Sequence, residues 1–132
     1  MNDLSQAASY FEPLVLELLN SCAKQGVPCR IVDIVRTPAQ QQVKLDTGVS
    51  WTQNSKHLPQ TPEGKSEAVD IVPLAILNEH KADWDPKNIA WQRIGEIGKS
   101  LGLEWGGDWK EHPDPSHFQY VKKQQIPGVP NG

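Results

Sequence analysis

The sequence predicts an α+β fold, a small single domain in which helices pack on a mainly antiparallel sheet. Amphipathic and β-branched segments follow one another in the order helix, strand, helix, strand, helix, strands, which is typical of this class. The 132 residues suffice for one core without disulfide support, and the chain shows no internal repeat. We expect one domain over residues 1–122 and a polar, Pro/Gly-rich tail over 123–132.

The first half of the chain contains two predicted helices on either side of a strand. Apolar residues recur at spacings of three and four over residues 4–22, with Pro13 as a kink or a break into two pieces. The β-branched segment 29–36 follows as the first strand. A helix over 36–48 comes next, because Thr37 can cap it just before a proline at the first helical position.

The second half contains the remaining strands and one more helix. Residues 49–66 are rich in Gly, Pro, Ser, Thr and Asn and predict a long loop, which in a compact domain is often functional. Residues 67–77 predict the second strand. A helix over 85–102 follows, and residues 103–105 and 116–121 predict further short strands.

Composition argues against several classes of function. The net charge is −3 and no basic stripe is present, so we do not expect a nucleic-acid partner. No apolar run approaches the ~18 residues of a membrane span, and the first residues lack the features of a secretory signal. Cys22 and Cys29 are too few for a disulfide scaffold, and we interpret both as buried small apolar residues. We expect a monomer.

Three residues with metal-ligand chemistry stand out. Asp70 lies within an apolar strand, where an unpaired carboxylate is costly to bury. His57 belongs to the long loop, and His117 begins the last strand. Two imidazoles, one carboxylate and an open fourth position form the usual arrangement of catalytic zinc. An ion-paired or solvent-facing Asp70 is the alternative, and the residues alone leave both interpretations open.

Two further charged residues would complete a hydrolytic site. Asp114, three residues before His117, can take a proton from water and return it to a leaving amine. Arg36, between the first strand and the next helix, can bind a carbonyl oxygen or a substrate carboxylate. A surface or ion-paired arginine is the alternative. The helix-borne HExxH zinc motif is absent from the sequence.

Three motifs in this order resemble the peptidoglycan-cleaving zinc peptidases related to D-Ala-D-Ala carboxypeptidases. The resemblance is greatest to the phage endolysins that act as L-alanyl-D-glutamate peptidases. The motifs are "VRTPAQQ" (35–41), "SKH" followed by "AVDI" (55–71), and "LEWGGDWKEHPDPSHFQ" (103–119). The third motif is specific, and the three together extend over most of the chain.

The resemblance implies a role for each matching residue. The implied Zn²⁺ ligands are His57, Asp70 and His117, which would place the zinc site on the sheet. Asp114 would be the catalytic acid/base. The residues implied to contact the substrate or the developing oxyanion are Arg36, Gln41 and Ser55, with Arg36 also counted as catalytic.

The resemblance also implies an activity and a place of action. The expected reaction is hydrolysis of the L-Ala–D-Glu bond in peptidoglycan stem peptides, for host lysis. The alternatives are a D,D-carboxypeptidase that removes terminal D-Ala and a non-catalytic module that binds cell-wall peptide. Because no secretory signal is seen, we expect synthesis in the host cytoplasm and holin-type release to the cell wall.

Two features of the motifs leave questions open. Twelve residues separate His57 from Asp70, more than the family usually has, and residues 59–64 look like an insertion. His112 is a competing ligand, but we prefer His117 because the start of a strand is a firmer platform. Trp105 and Trp109 either line the substrate cleft or belong to the core.

Overall fold

The protein is described here by a computed structural model that covers residues 4–34, 42, 46, 55–62, 64–79 and 83–121. The helices are α1 (Glu12–Lys24), α2 (Leu74–Leu77) and α3 (Ile89–Ser100). The strands are β1 (Cys29–Asp33), β2 (Ala68–Pro73), β3 (Glu104–Trp105) and β4 (His117–Gln119). The strands form one antiparallel sheet in the order β1-β2-β4-β3, which confirms the predicted α+β class.

The first predicted helix is divided into two pieces. Leu4–Gln6 forms one turn of 3₁₀-helix, and α1 begins only at Glu12. Pro13 lies in the first turn of α1, where a missing N–H costs nothing, so it starts the helix instead of kinking it. After α1, Gly26 takes a left-handed conformation (φ +83°), and the N–H of Val27 donates to the carbonyl of Cys22 at 2.8 Å.

The second predicted strand, 67–77, is wrong in its last four residues. β2 ends at Pro73, and Leu74–Leu77 forms the short helix α2. Proline has no N–H to continue a strand ladder, and the N–H of Leu74 instead donates to the carbonyl of Pro28 at 2.9 Å. A continuous apolar run does not distinguish a buried strand from a buried helix, which is why the pattern misled.

Helix α3 begins later than predicted and packs through glycines. The predicted start at residue 85 is a turn, and the side chain of Asn88 caps the helix by accepting from the N–H of Ala90 at 2.9 Å. A Cβ on Gly98 would lie 2.3 Å from the ring of Phe118, and one on Gly95 would lie 2.5 Å from the indole of Trp105. The helix therefore lies directly on β3 and β4.

The register of the sheet places the polar residues together. In the β2–β4 pair, Asp70 lies opposite His117, and Val69 lies opposite Phe118. Successive strand residues point to opposite faces. Val69 and Phe118 join the core with α1 and α3, so Asp70 and His117 project from the other face. The core includes Phe11, Val15, Leu18, Ile71, Ile94 and Trp105.

Some predictions fall on parts of the chain that are not described. Of the predicted helix 36–48, only Gln42 and Asp46 are described; both are helical, and the Gln42 amide donates to the Asp46 carboxylate at 2.8 Å. The tail over 123–132 lies outside the described residues, so the domain boundaries stay a prediction. Among the described residues, no helix has both the length and the apolar character needed to span a membrane.

Candidate metal centre

His57, Asp70 and His117 come together on the face of the β2–β4 pair opposite the core, and all three ligand groups are buried. Nε2 of His57 lies 3.1 Å from Oδ1 of Asp70, and Nδ1 of His117 lies 3.3 Å from the same oxygen. One ligand atom from each residue falls within 4.8 Å of the others. The three predicted ligands therefore form one cluster, although they come from a loop and two strands.

His57 is held on both sides of its ring and at its backbone. Its side chain is 1% exposed, and Nδ1 lies 2.7 Å from the carbonyl oxygen of Ile34, just past the end of β1. The N–H of His57 donates to the hydroxyl of Ser55 at 3.1 Å. These bonds turn Nε2 toward Asp70.

The loop that carries His57 is tied to the start of β2 and to the N-terminal segment. The buried hydroxyl of Ser66 lies 3.0 Å from the carbonyl of Lys56, and the Ser66 N–H donates to the carbonyl of Gln6 at 2.9 Å. Glu67 pairs with Lys56 at 3.2 Å and also accepts from the hydroxyl of Tyr10. The loop is thus anchored immediately before the histidine.

His117 is oriented by a residue on its own strand. Its Nε2 lies 2.8 Å from Oε1 of Gln119, which projects on the same face two residues later. The ring of Trp109 lies beside the His117 ring, with a centroid separation of 5.0 Å. An acceptor that binds the outer nitrogen of a histidine is the usual support of a metal ligand.

The hydrogen bonds of the two imidazoles test whether the cluster suits a cation. The carbonyl of Ile34 and the amide oxygen of Gln119 are acceptors, so they place the ring N–H at Nδ1 of His57 and at Nε2 of His117. In the neutral rings, the nitrogens that face Asp70 then carry lone pairs. Two lone pairs and a carboxylate converging on one point need a cation between them, and this donor set fits zinc.

The electrostatics of the metal-free cluster agree with this picture. Burial by itself raises the pKa of Asp70, but the charges of His57 and His117 and their hydrogen bonds outweigh burial and hold the pKa well below its ordinary range. Burial lowers the pKa of His117, yet the hydrogen bond and charge of Asp70, with the charge of Asp114, raise it overall. Without metal, the raised pKa means that Asp70 favours a proton on the His117 imidazole.

Asp114 lies next to this cluster at the end of the 109–116 loop. Its backbone N–H donates to the carbonyl of Gly106 at 2.9 Å, and its carbonyl accepts from the N–H of His117 at 3.2 Å. Ser116 donates its hydroxyl to Oδ1 at 3.0 Å. Burial, followed by the negative charge of Asp70, raises the pKa of the Asp114 carboxyl above its ordinary value. A raised pKa suits a group that takes up and returns a proton.

Gly106 allows this close approach of the loop. A Cβ at this position would lie 2.4 Å from the carbonyl oxygen of Asp114 and 3.1 Å from Cβ of His117. The first glycine of the Gly-Gly pair is therefore needed, because backbone passes directly against it.

The structure describes only some of the other candidate residues. Ser55 is buried and bonded to the backbone of His57; Arg36 and Gln41 lie outside the described residues. His112 is exposed with φ 54°, and no cluster of the described residues includes it as a ligand. Trp105 belongs to the core and donates to the carbonyl of Pro115 at 2.8 Å.

Sequence reasoning did not identify the residues that support the ligands. Gln119 was not singled out, although its position two residues after His117 on a strand places both side chains on one face. The carbonyl of Ile34 leaves no signal in the sequence, because any residue type offers it. Asp108, which follows the Gly-Gly pair, forms an ion pair with Lys99 at 3.0 Å.

Comparison with known proteins agrees with the fold and the cluster. A sequence model of the D-alanyl-D-alanine carboxypeptidase group of M15 peptidases matches residues 49–120. This match includes the three clustered residues and Asp114, and it extends over more than half of the 132-residue chain. The chain belongs to the M15 peptidase family, and Zn²⁺ is the cofactor that the family and the donor set assign to this cluster.

A similar protein of known sequence is itself named a peptidase. The chain is 31% identical over 108 residues to an L-alanyl-D-glutamate peptidase of Listeria phage A118, a match that covers 81% of this chain and 35% of that relative. The chain thus spans about a third of the length of this phage protein.

Two solved structures share the fold. The L-Ala D-Glu endopeptidase ChiX of Serratia marcescens is 24% identical with a TM-score of 0.65, over 89% of this chain and 83% of its own. The D,D-pentapeptidase VanY from a VanB-type resistance cassette, solved in complex with Zn(II), is 18% identical with a TM-score of 0.56, over 87% of this chain and 72% of its own.

Proposed function

We propose that this protein is a zinc-dependent peptidoglycan endopeptidase that hydrolyses the L-Ala–D-Glu bond of the stem peptide. The observation that carries the proposal is the cluster of His57, Asp70 and His117, with Asp114 beside it, in a chain of the M15 family. The specific bond is supported by the phage relative, which is named an L-alanyl-D-glutamate peptidase.

Different residues would bind the metal and transfer the proton during amide hydrolysis. His57, Asp70 and His117 would hold the metal through two nitrogens and one carboxylate oxygen. Zinc with three protein ligands and an open position acts as a Lewis acid toward water and a carbonyl group. The carboxylate of Asp114 would accept a proton from the attacking water, and the resulting carboxyl would return it to the leaving nitrogen of D-Glu.

The substrate contacts remain part of the proposal. We assign binding of the stem peptide and of the developing oxyanion to Arg36, Gln41 and Ser55, on the strength of their positions in the motifs. For Ser55, the bond between its hydroxyl and the backbone of His57 supports a second role, which is to fix the histidine in place.

The proposed biological role is that of a phage endolysin. The protein would be made in the host cytoplasm, reach the cell wall by holin-type release, and cut stem peptides there as a monomer. The phage origin of the 31% identical relative supports this role.

Digestion of purified, intact peptidoglycan with zinc present tests the proposal. Mass spectrometry of the released fragments should find new L-Ala carboxyl termini and new D-Glu amino termini. Asp114→Asn should retain zinc but lower the rate by about 10²-fold or more, because the proton acceptor is lost. His112→Asn is the matched control and should cleave normally, since asparagine tolerates the same left-handed backbone.

Two other outcomes would redirect the assignment. Release of terminal D-Ala alone would indicate a D,D-carboxypeptidase, which the description of the matching family model favours. Zinc binding without any cleavage would indicate a non-catalytic module that binds cell-wall peptide. Cleavage that survives in Asp114→Asn at the normal rate would contradict the role of Asp114.

A further inference from the structure

The two cysteines of the chain meet at the junction between α1 and β1. Cys22 lies in the last turns of α1 and is fully buried, whereas Cys29 is the first residue of β1 and is partly exposed. These are the only two cysteines among the 132 residues, so each has one possible intramolecular partner. The expectation that both are simply buried apolar residues therefore holds for Cys22 and is incomplete for Cys29.

The turn after α1 brings the two thiols together. Gly26 is left-handed, which lets the chain reverse so that the N–H of Val27 reaches the carbonyl of Cys22 at 2.8 Å. The thiol of Cys29 then donates back to the carbonyl of Val27 at 3.3 Å. Cys29 packs against the core cluster that contains Cys22, and the largest influence on the pKa of each thiol is the other thiol.

We propose that Cys22 and Cys29 form an intramolecular disulfide when the folded protein meets a small-molecule or protein disulfide oxidant. The bond would join the end of α1 to the start of β1 and close the turn around Gly26. This site is distinct from the metal cluster, and the proposal does not depend on the proposed function.

The thiol–disulfide exchange proceeds in two steps. The partly exposed Cys29, as its thiolate, attacks one sulfur of the oxidant RSSR, forms a mixed disulfide and expels RS⁻. The thiolate of Cys22 then attacks the Cys29 sulfur, forms the Cys22–Cys29 bond and expels the second RS⁻. The two cysteines lose two protons and two electrons, and the oxidant is reduced to two RSH.

The influence of the two thiols on each other suits this division of roles. Cys29 lowers the pKa of Cys22, the thiol that must act as the second nucleophile inside the fold. Cys22, with burial, raises the pKa of Cys29, so the first step is slow and the pair stays reduced where oxidant is scarce. Cytosolic thiol pools keep such pairs reduced, and the bacterial periplasm oxidises them.

The test is a redox equilibrium measured with reduced and oxidised glutathione. The purified protein is equilibrated at a series of glutathione ratios, quenched with acid, alkylated and weighed by mass spectrometry. The fraction of protein whose two cysteines are not alkylated is the disulfide-bonded fraction. It gives the equilibrium constant for disulfide formation, which is measured both in buffer and in 8 M urea. Because the native turn already holds the sulfurs together, we expect a constant about tenfold or more higher in the folded protein.

Three outcomes would overturn the proposal. The constants could be equal in buffer and urea, which would mean that the fold does not favour the bond. The oxidised product could be a stable Cys29–glutathione mixed disulfide, which would mean that Cys22 does not reach it. It could also be a covalent dimer on a non-reducing gel. Cys22→Ala is the control: it keeps the exposed thiol and should give only the mixed disulfide, and zinc binding should be unchanged.

Discussion

At the scale of single residues, the metal cluster depends on acceptors that decide which nitrogen of each imidazole faces Asp70. For His117 this acceptor is Oε1 of Gln119, at 2.8 Å. Gln119→Leu removes the acceptor and keeps the volume, so the ring is free to rotate and to change its tautomer. We expect zinc affinity to fall about 10–100-fold, as for other supports of metal ligands. Competition with a chromophoric chelator measures the change.

Two variants give this prediction its controls. Gln119→Glu keeps an acceptor at the same place and should bind zinc much more tightly than Gln119→Leu. Gln25→Leu makes the same exchange at an exposed position after α1 and should leave the affinity as it is. Equal affinities for Gln119→Leu and the unaltered protein would mean that the ring is fixed by other contacts, such as Trp109.

The titration of His117 sets the pH dependence of zinc binding. In the metal-free protein its pKa is raised above the usual ~6.5, and a proton must leave before the nitrogen can bind zinc. Above the raised pKa the affinity should be constant with pH. Below it, the affinity should fall by about tenfold per pH unit, because each zinc bound displaces one proton. Chelator competition between pH 5 and 9 checks this.

The stability of the metal-free protein should respond to pH in the opposite sense. A folded-state pKa above the unfolded value contributes stability that is fully present below ~6.5 and is lost as pH rises through the folded value.

Zinc affinity that is unchanged from pH 8 to pH 5, or full hydrolytic activity at pH 4 with metal retained, would contradict His57 and His117 as ligands.

At the scale of elements, α3 owes its position to two glycines that face the sheet. A Cβ on Gly98 would lie 2.3 Å from Cε2 of Phe118, which follows His117 on β4. Gly98→Ala must therefore push α3 away from β4 or displace the ring. We expect the free energy of unfolding to fall by about 1–3 kcal/mol, as in other overpacked cores. Urea unfolding of the metal-free protein measures this.

The matched control lies on the exposed side of the same helix. Glu96→Ala also introduces alanine into α3, but its side chain is 70% exposed and its ion pair with Lys99 is superficial. A change within about 0.5 kcal/mol is expected for such a surface position. If Gly98→Ala were equally mild, the helix would have room to move, and the glycine would not be needed for packing.

Elements were predictable from the sequence where local chemistry defines them. The cluster of His57, Asp70 and His117 followed from the motifs, since a carboxylate within an apolar strand and a histidine at a strand start are visible locally. The helical turn after Pro73 was not predicted, because it depends on a hydrogen bond to the distant carbonyl of Pro28. Helices α1 and α3 begin later in the structure than predicted for a similar reason. Several nearby residues can cap a helix, and tertiary packing selects one of them.

At the scale of the whole molecule, the fold and the metal cluster are built largely from different residues. The core of α1, α3 and the sheet contains Phe11, Trp91, Trp105 and Phe118, all on the covered side. Asp70 and His117 are brought together by the β2–β4 ladder itself. Only His57 comes from outside the sheet. Zinc therefore joins a loop to a sheet that is already complete.

This division predicts how the protein responds to metal removal. The metal-free protein should stay folded and unfold cooperatively, unlike small domains that need their metal to fold. Zinc at about 1,000 times its dissociation constant should add about 4 kcal/mol, and the midpoint temperature should rise by roughly 15 °C. Thermal unfolding followed by circular dichroism, with chelator and then with zinc, measures both. His117→Ala is the control and should show little of this rise, because one of the three ligands is gone. A chelated protein without a cooperative transition would mean that the cluster is structural and that the core does not hold the sheet alone.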